Sequence, residues 1–154
     1  MKKGQSYQIE RRTALALLGA FGLSVASNRP LFASPEDVES IISDITSGAG
    51  APMSDFYLDL PEIAENGNQV KVAFEIDSPM TNEDHVTEVY ILADGNPAPS
   101  VAKFTFSPEM GVCAATTRMR LAKTQDVYVL AAFNDGRFGM AQSTVKVTIG
   151  GCGG

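Results

Sequence analysis

Hydrophobic positions recur along this chain with two different periods, and the change from one to the other divides it. Val38, Ile41, Ile42 and Ile45 fall at i, i+3, i+4 and i+7, the apolar stripe of one short helix. Ser34-Pro35-Glu36-Asp37 is its start: a hydroxyl cap, proline at the first helical position, then acids beside the positive helix end. Gly48-Ala49-Gly50-Ala51-Pro52 ends it. The stripe predicts packing on a sheet or on a partner.

From Asp55 the period is two. Phe56 to Leu60 alternates, and Pro61 to Asn68 connects it to the next strand with Asn66-Gly67 as the turn. Val70 to Asp77 is a strand apolar on one face. Val86 to Ala93 is another, closing at Asp94-Gly95. Pro97 and Pro99 keep the following linker out of any sheet centre. Val101 to Phe106 is short, and Val112 to Leu121 sets Thr117, Met119 and Leu121 against Arg118 and Arg120. Asp126 to Phe133 is nearly all apolar, which predicts a place at a sheet centre. Asn134 to Arg137 is a hairpin turn, and Phe138 to Ile149 returns as the last strand. About seven short strands with turns between them indicate a mainly β fold, an immunoglobulin-like β-sandwich with a short N-terminal helix.

Two segments lie outside this pattern. Residues 1–33 have the layout of an export leader. Lys2, Lys3, Arg11 and Arg12 precede an uncharged apolar run from Ala14 to Ala26, too short to span a bilayer and suited to a signal-peptide core. Ala33 and Ala26 are alternative cleavage ends. The Arg11-Arg12 pair suggests the twin-arginine route, although Glu10 before it and Ala14 after it make the match partial. The chain divides into a leader at 1–33, a β-sandwich domain at 34–149 and an arm at 150–154, with a periplasmic location expected.

Charge then narrows the partners. The leader holds five of the twelve basic residues and one of the eighteen acids, leaving seven against seventeen, or −10. Such a surface repels nucleic acid and anionic membrane. No membrane association is expected once the leader is removed.

The second segment is Gly150-Gly151-Cys152-Gly153-Gly154. Glycine visits φ > 0 freely, so the arm has almost no conformational preference and is as slender as a polypeptide can be. From Gly150 to Cys152 it can extend roughly 10 Å. Such a thread could enter a narrow slot and present one sulfur at the bottom. An ordinary thiol with a pKa of ~8.5 is only about 3% ionised at pH 7, and Cys152 has neither a histidine nor a helix start beside it in the sequence. Other proteins would therefore supply the chemistry. A conjugation tag and a structural disulfide to Cys113, the one other cysteine, are the competing readings of the tail.

Catalytic constellations are not evident. His85 is the one histidine and lies in a polar loop; Glu83-Asp84 is read as a solvated pair. Two cysteines and one histidine without close spacing make a poor metal site, and no Cys-x-x-Cys or phosphate-binding glycine loop is present. Cys113, near a strand start, is read as a small buried hydrophobe. No cofactor is expected, and no catalytic residue.

The arm, with Val145-Lys146-Val147-Thr148-Ile149 before it, resembles the end of the SoxY family of sulfur-carrier subunits of bacterial thiosulfate oxidation. Arg118-x-Arg120-Leu121-Ala122 and the Asp135-Gly136 hairpin resemble that family's second half. The resemblance implies covalent sulfur attachment at Cys152, with Gly150, Gly151, Gly153 and Gly154 as the flexible arm. It implies a heterodimer with a second β-sandwich protein, SoxZ, exported with it. A haem-containing enzyme would conjugate the sulfur compound and a dimanganese hydrolase would release sulfate, the metals belonging to those partners. Cys113 is a thiol that this scheme does not need. A non-covalent exported binding module with an incidental tail is the alternative.

Overall fold

The structure is a computed structural model that describes residues 32–149. Eight strands form two facing sheets, one more strand than the periodicity suggests. They are β1 (Tyr57–Asp59), β2 (Ile63–Ala64), β3 (Val70–Ile76), β4 (Val86–Ala93), β5 (Ser100–Thr105), β6 (Cys113–Met119), β7 (Gln125–Phe133) and β8 (Phe138–Val147). The smaller sheet runs β1-β3-β6 and the larger β2-β8-β7-β4-β5. All neighbours are antiparallel except β2 and β8, which run parallel. The extra strand is β2, whose two residues carry no readable period.

Alternation decides which side chains meet between the sheets. From β3 the inward set is Val70, Val72, Phe74 and Ile76; from β7 it is Val127, Val129, Ala131 and Phe133. Apolar residues on both faces of β7 suit its place at the middle of the larger sheet, with Leu130 on the opposite face also fully buried. Phe74 anchors the core by edge-to-face packing on Phe104 at 5.5 Å and Phe106 at 6.2 Å between ring centroids.

The outer face of the larger sheet is covered by α1 (Pro35–Ile45). Its start is a capping box: Ser34 N–H donates to the Asp37 carboxylate at 2.8 Å, and Asp37 N–H to the Ser34 hydroxyl at 3.4 Å. Val38 packs with Leu92 and Tyr128, and Ile41, Ile42, Tyr90 and Met140 extend that contact. The predicted stripe thus docks on a sheet of its own chain. The helix stops where Ser47 (φ 52°) and Gly48 (φ 81°) turn left-handed, letting Gly48 N–H reach back to the Ser43 carbonyl at 2.8 Å.

Two close approaches fix the sandwich ends. A Cβ on Gly139 would lie 2.6 Å from the Ser54 hydroxyl and 2.7 Å from the Phe56 ring, so glycine is what lets this segment lie against β8. At the opposite end Gln125, almost fully buried, accepts from Gly95 N–H at 2.8 Å. Its amide nitrogen donates to the Asn96 side-chain oxygen and the Lys123 carbonyl, both at 3.0 Å.

Candidate functional site

The residues that carry the expected chemistry, Gly150 to Gly154 with Cys152 among them, lie outside the described residues, as do Arg11 and Arg12 of the expected leader. What the structure supplies is the root from which that segment leaves. β8 ends at Val147, although the alternation of Val145, Val147 and Ile149 suggests a strand two residues longer. Val145 is fully buried and Val147 partly buried, whereas Ile149 is 68% exposed. Burial fades along these three positions, and hydrogen bonds take over.

On one side, Lys146 N–H donates to the Glu62 carbonyl at 2.9 Å and Thr148 N–H to the Ala64 carbonyl at 3.1 Å, the slanted pattern of a parallel pair. Thr148 Oγ1 adds a bond to the Glu65 carbonyl at 2.9 Å. On the other side, pairing of β8 with β7 stops at Gln125 opposite Val145. There the Thr124 hydroxyl continues the ladder, accepting from Val147 N–H at 3.0 Å. The last tie belongs to the turn Gly67–Gln69: Gly67 N–H donates to the Ile149 carbonyl at 2.8 Å, while the Gly67 carbonyl accepts from Leu121 N–H at 2.8 Å. The root is therefore held from both edges up to the residue before Gly150.

Cys113 occupies the start of β6, opposite Ile76, with 1% exposure and a free thiol. Burial pushes that thiol up to about 11, because the interior disfavours the thiolate. It is a packing residue, as its strand position suggests.

His85 serves the loop it sits in. Its Nδ1 lies 2.9 Å from the Thr81 carbonyl, its backbone N–H donates to Asn134 Oδ1 at 3.1 Å, and its carbonyl accepts from Asn134 N–H at 3.0 Å. Asp84, next to it, pairs with Arg137 at 2.6 Å. Among the described residues no group of three or more His, Cys, Asp or Glu side chains is placed to hold a metal ion, and no helix is long and apolar enough to cross a membrane.

The sequence gives no signal for two groups that shape this region. Thr124 is an exposed polar residue in a loop, and Gln125 a buried amide between Thr124 and Asp126 at the start of β7. Only the folded contacts show what either does: Thr124 extends the pairing of β8, and Gln125 ties Gly95, Asn96 and Lys123 together.

Solved structures place this sandwich in a known class. The sulfur carrier protein SoxY from Chlorobium limicola f thiosulfatophilum is 29% identical, with a TM-score of 0.62 over 73% of this chain and 92% of that one. A superoxide reductase (neelaredoxin) from Ignicoccus hospitalis is 16% identical, with a TM-score of 0.55 over 76% and 95%, a likeness of fold alone. No curated protein sequence matches the chain. The family model of the sulfur oxidation protein SoxY matches residues 44–152, a span that covers the sandwich and runs into Cys152. The chain belongs to the SoxY family of sulfur oxidation.

Proposed function

We propose that this protein carries sulfur intermediates covalently on Cys152 and presents them to partner enzymes without catalysing a reaction itself. The observation that carries the reading is the family match, which runs through Cys152. Cys113, the other thiol, is buried and protonated, which leaves Cys152 as the sulfur nucleophile.

In the loading step the Cys152 sulfur and the outer sulfur of thiosulfate form one S–S bond. The thiol proton is released and two electrons pass to a haem-containing partner. Hydrolysis at a dimanganese partner then adds water across the bond to the sulfonate group, so that sulfate leaves and a persulfide remains on Cys152. The second step moves no net electrons. A SoxZ-like β-sandwich subunit completes the carrier as a heterodimer. Residues 1–33, with Arg11 and Arg12, direct it to the periplasm, residues 34–149 form the handle, and residues 150–154 form the swinging arm.

The experiment is peptide mass spectrometry after incubation with thiosulfate and the partner enzymes. The expected product is an adduct on the Cys152 peptide that is absent from Cys152→Ser. An adduct that persists in Cys152→Ser, or full turnover by a chain lacking residues 151–154, would refute the carrier reading.

A further inference from the structure

We infer that Ala33 stays on the mature chain, where its backbone ties the start of α1 to the loop after β4, and that the export leader is cut ahead of Phe32. The inference rests on the leader reading proposed above and moves the end of that leader. Ala33 is 9% exposed, and its N–H donates to the Asn96 carbonyl at 2.7 Å. Asn96 is itself held by its side chain: the amide nitrogen donates to the Arg120 carbonyl at 2.9 Å, and the amide oxygen accepts from Ala122 N–H and Gln125 Nε2, both at 3.0 Å. One residue before Ala33, the Lys123 ammonium lies over the Phe32 ring, 5.1 Å from its centroid. Ala33 is thus bonded into the same end of the sandwich that Gln125 organises.

The helix that follows depends on such ties. Eleven residues make a marginal helix in water, so α1 draws its stability from docking. Of those eleven Val38 alone is buried, with Ile41 and Ile42 packed partly against the sheet. Ala33 adds a backbone bond just ahead of the Ser34 cap. A peptidase cutting between Ala33 and Ser34 would have to withdraw a buried residue and break its bond to Asn96. The cut would also leave an ammonium at the positive end of α1, in place of the Ser34 amide that donates to the Asp37 carboxylate. The sequence before that bond fits less well too. Export peptidases read small side chains at the first and third positions before the cut, and Leu31 stands at the third. Ala26, the alternative end, has Ser24 at that position; both lie outside the described residues.

The test uses the full chain expressed with its own leader, and reads the intact mass of the periplasmic protein. The expected mature chain begins before Phe32 and yields a peptide containing Ala33. A chain that begins at Ser34 would overturn the inference. Ala33→Leu is an independent check, because a bulky residue blocks cutting at the bond that follows it. Processing at the wild-type position is expected, and accumulation of uncut precursor would overturn the inference. The tie is read separately, by amide hydrogen exchange from Val38 to Ile45. Ala33→Pro has no N–H to donate and should speed exchange there about fivefold. Ala33→Gly keeps the N–H and should stay close to wild type. Wild-type exchange in Ala33→Pro would overturn the inference, as would equal acceleration in Ala33→Gly. Wild-type protein recovered entirely uncut would instead sink the leader reading, and the exchange comparison would still decide whether Ala33 ties α1.

Discussion

The two cysteines should differ in reactivity by more than two orders of magnitude, and the difference follows from the position of Cys113. At pH 8 an ordinary thiol of pKa ~8.5 is about one-quarter thiolate. Cys113, with its thiol raised to about 11 by burial, is thiolate only to about one part in a thousand. Ionisation alone slows alkylation on the order of 200-fold, and 1% exposure slows it further because the reagent enters only when β6 opens. Brief iodoacetamide treatment of the folded protein should therefore modify one thiol, which peptide mass mapping should locate at Cys152. The second should react only in denaturant. The same shift predicts alkaline destabilisation. Above about pH 9 the unfolded chain gives up the Cys113 proton and the folded chain keeps it, so stability is complete below that range and falls as pH rises through about 11. The difference in acidity, on the order of a few hundredfold, is worth about 3 kcal/mol. In a Cys152→Ser background, urea midpoints between pH 8 and 11 should fall more steeply for Cys113 than for Cys113→Ala. Alkylation of Cys113 at the rate of a free thiol in native protein would refute the reasoning. So would recovery of a Cys113–Cys152 disulfide from unreduced, folded material.

Two further predictions concern the handle. Phe74→Ala removes the ring on which Phe104 and Phe106 pack, and should cost about 3–5 kcal/mol in urea denaturation without altering the arm sequence. Gln125→Ala leaves Gly95 N–H without its acceptor and removes two donated bonds; about 2–4 kcal/mol is expected, and Gln125→Glu should recover only part of it.

Most of the fold is legible in the sequence because most of it depends on side-chain period. The stripe of Val38, Ile41, Ile42 and Ile45 gives α1, and the apolar run from Asp126 to Phe133 gives the central strand β7. What escapes is structure made by backbone groups. β2 is two residues within what reads as a connection, and it forms because Glu62 and Ala64 offer carbonyls to the parallel edge of β8. The end of β8 is misread for the same reason: Ile149 continues the alternation, but no apolar surface lies under it. Of the site, Cys152 and its glycines stand out in the sequence as a chemical pattern. The ties at the end of β8 do not, since threonines 124 and 148 lie far along the chain from the groups they bond until the strands pair.

The first edge of this sandwich is split: β1 joins the smaller sheet, and after Leu60, Pro61 and Glu62 the chain crosses to the larger sheet as β2. The stretch that closes the two layers is therefore also the one that holds the end of β8. A substitution within Glu62 to Glu65 that breaks this pairing therefore loosens both the crossing between the layers and the end of β8.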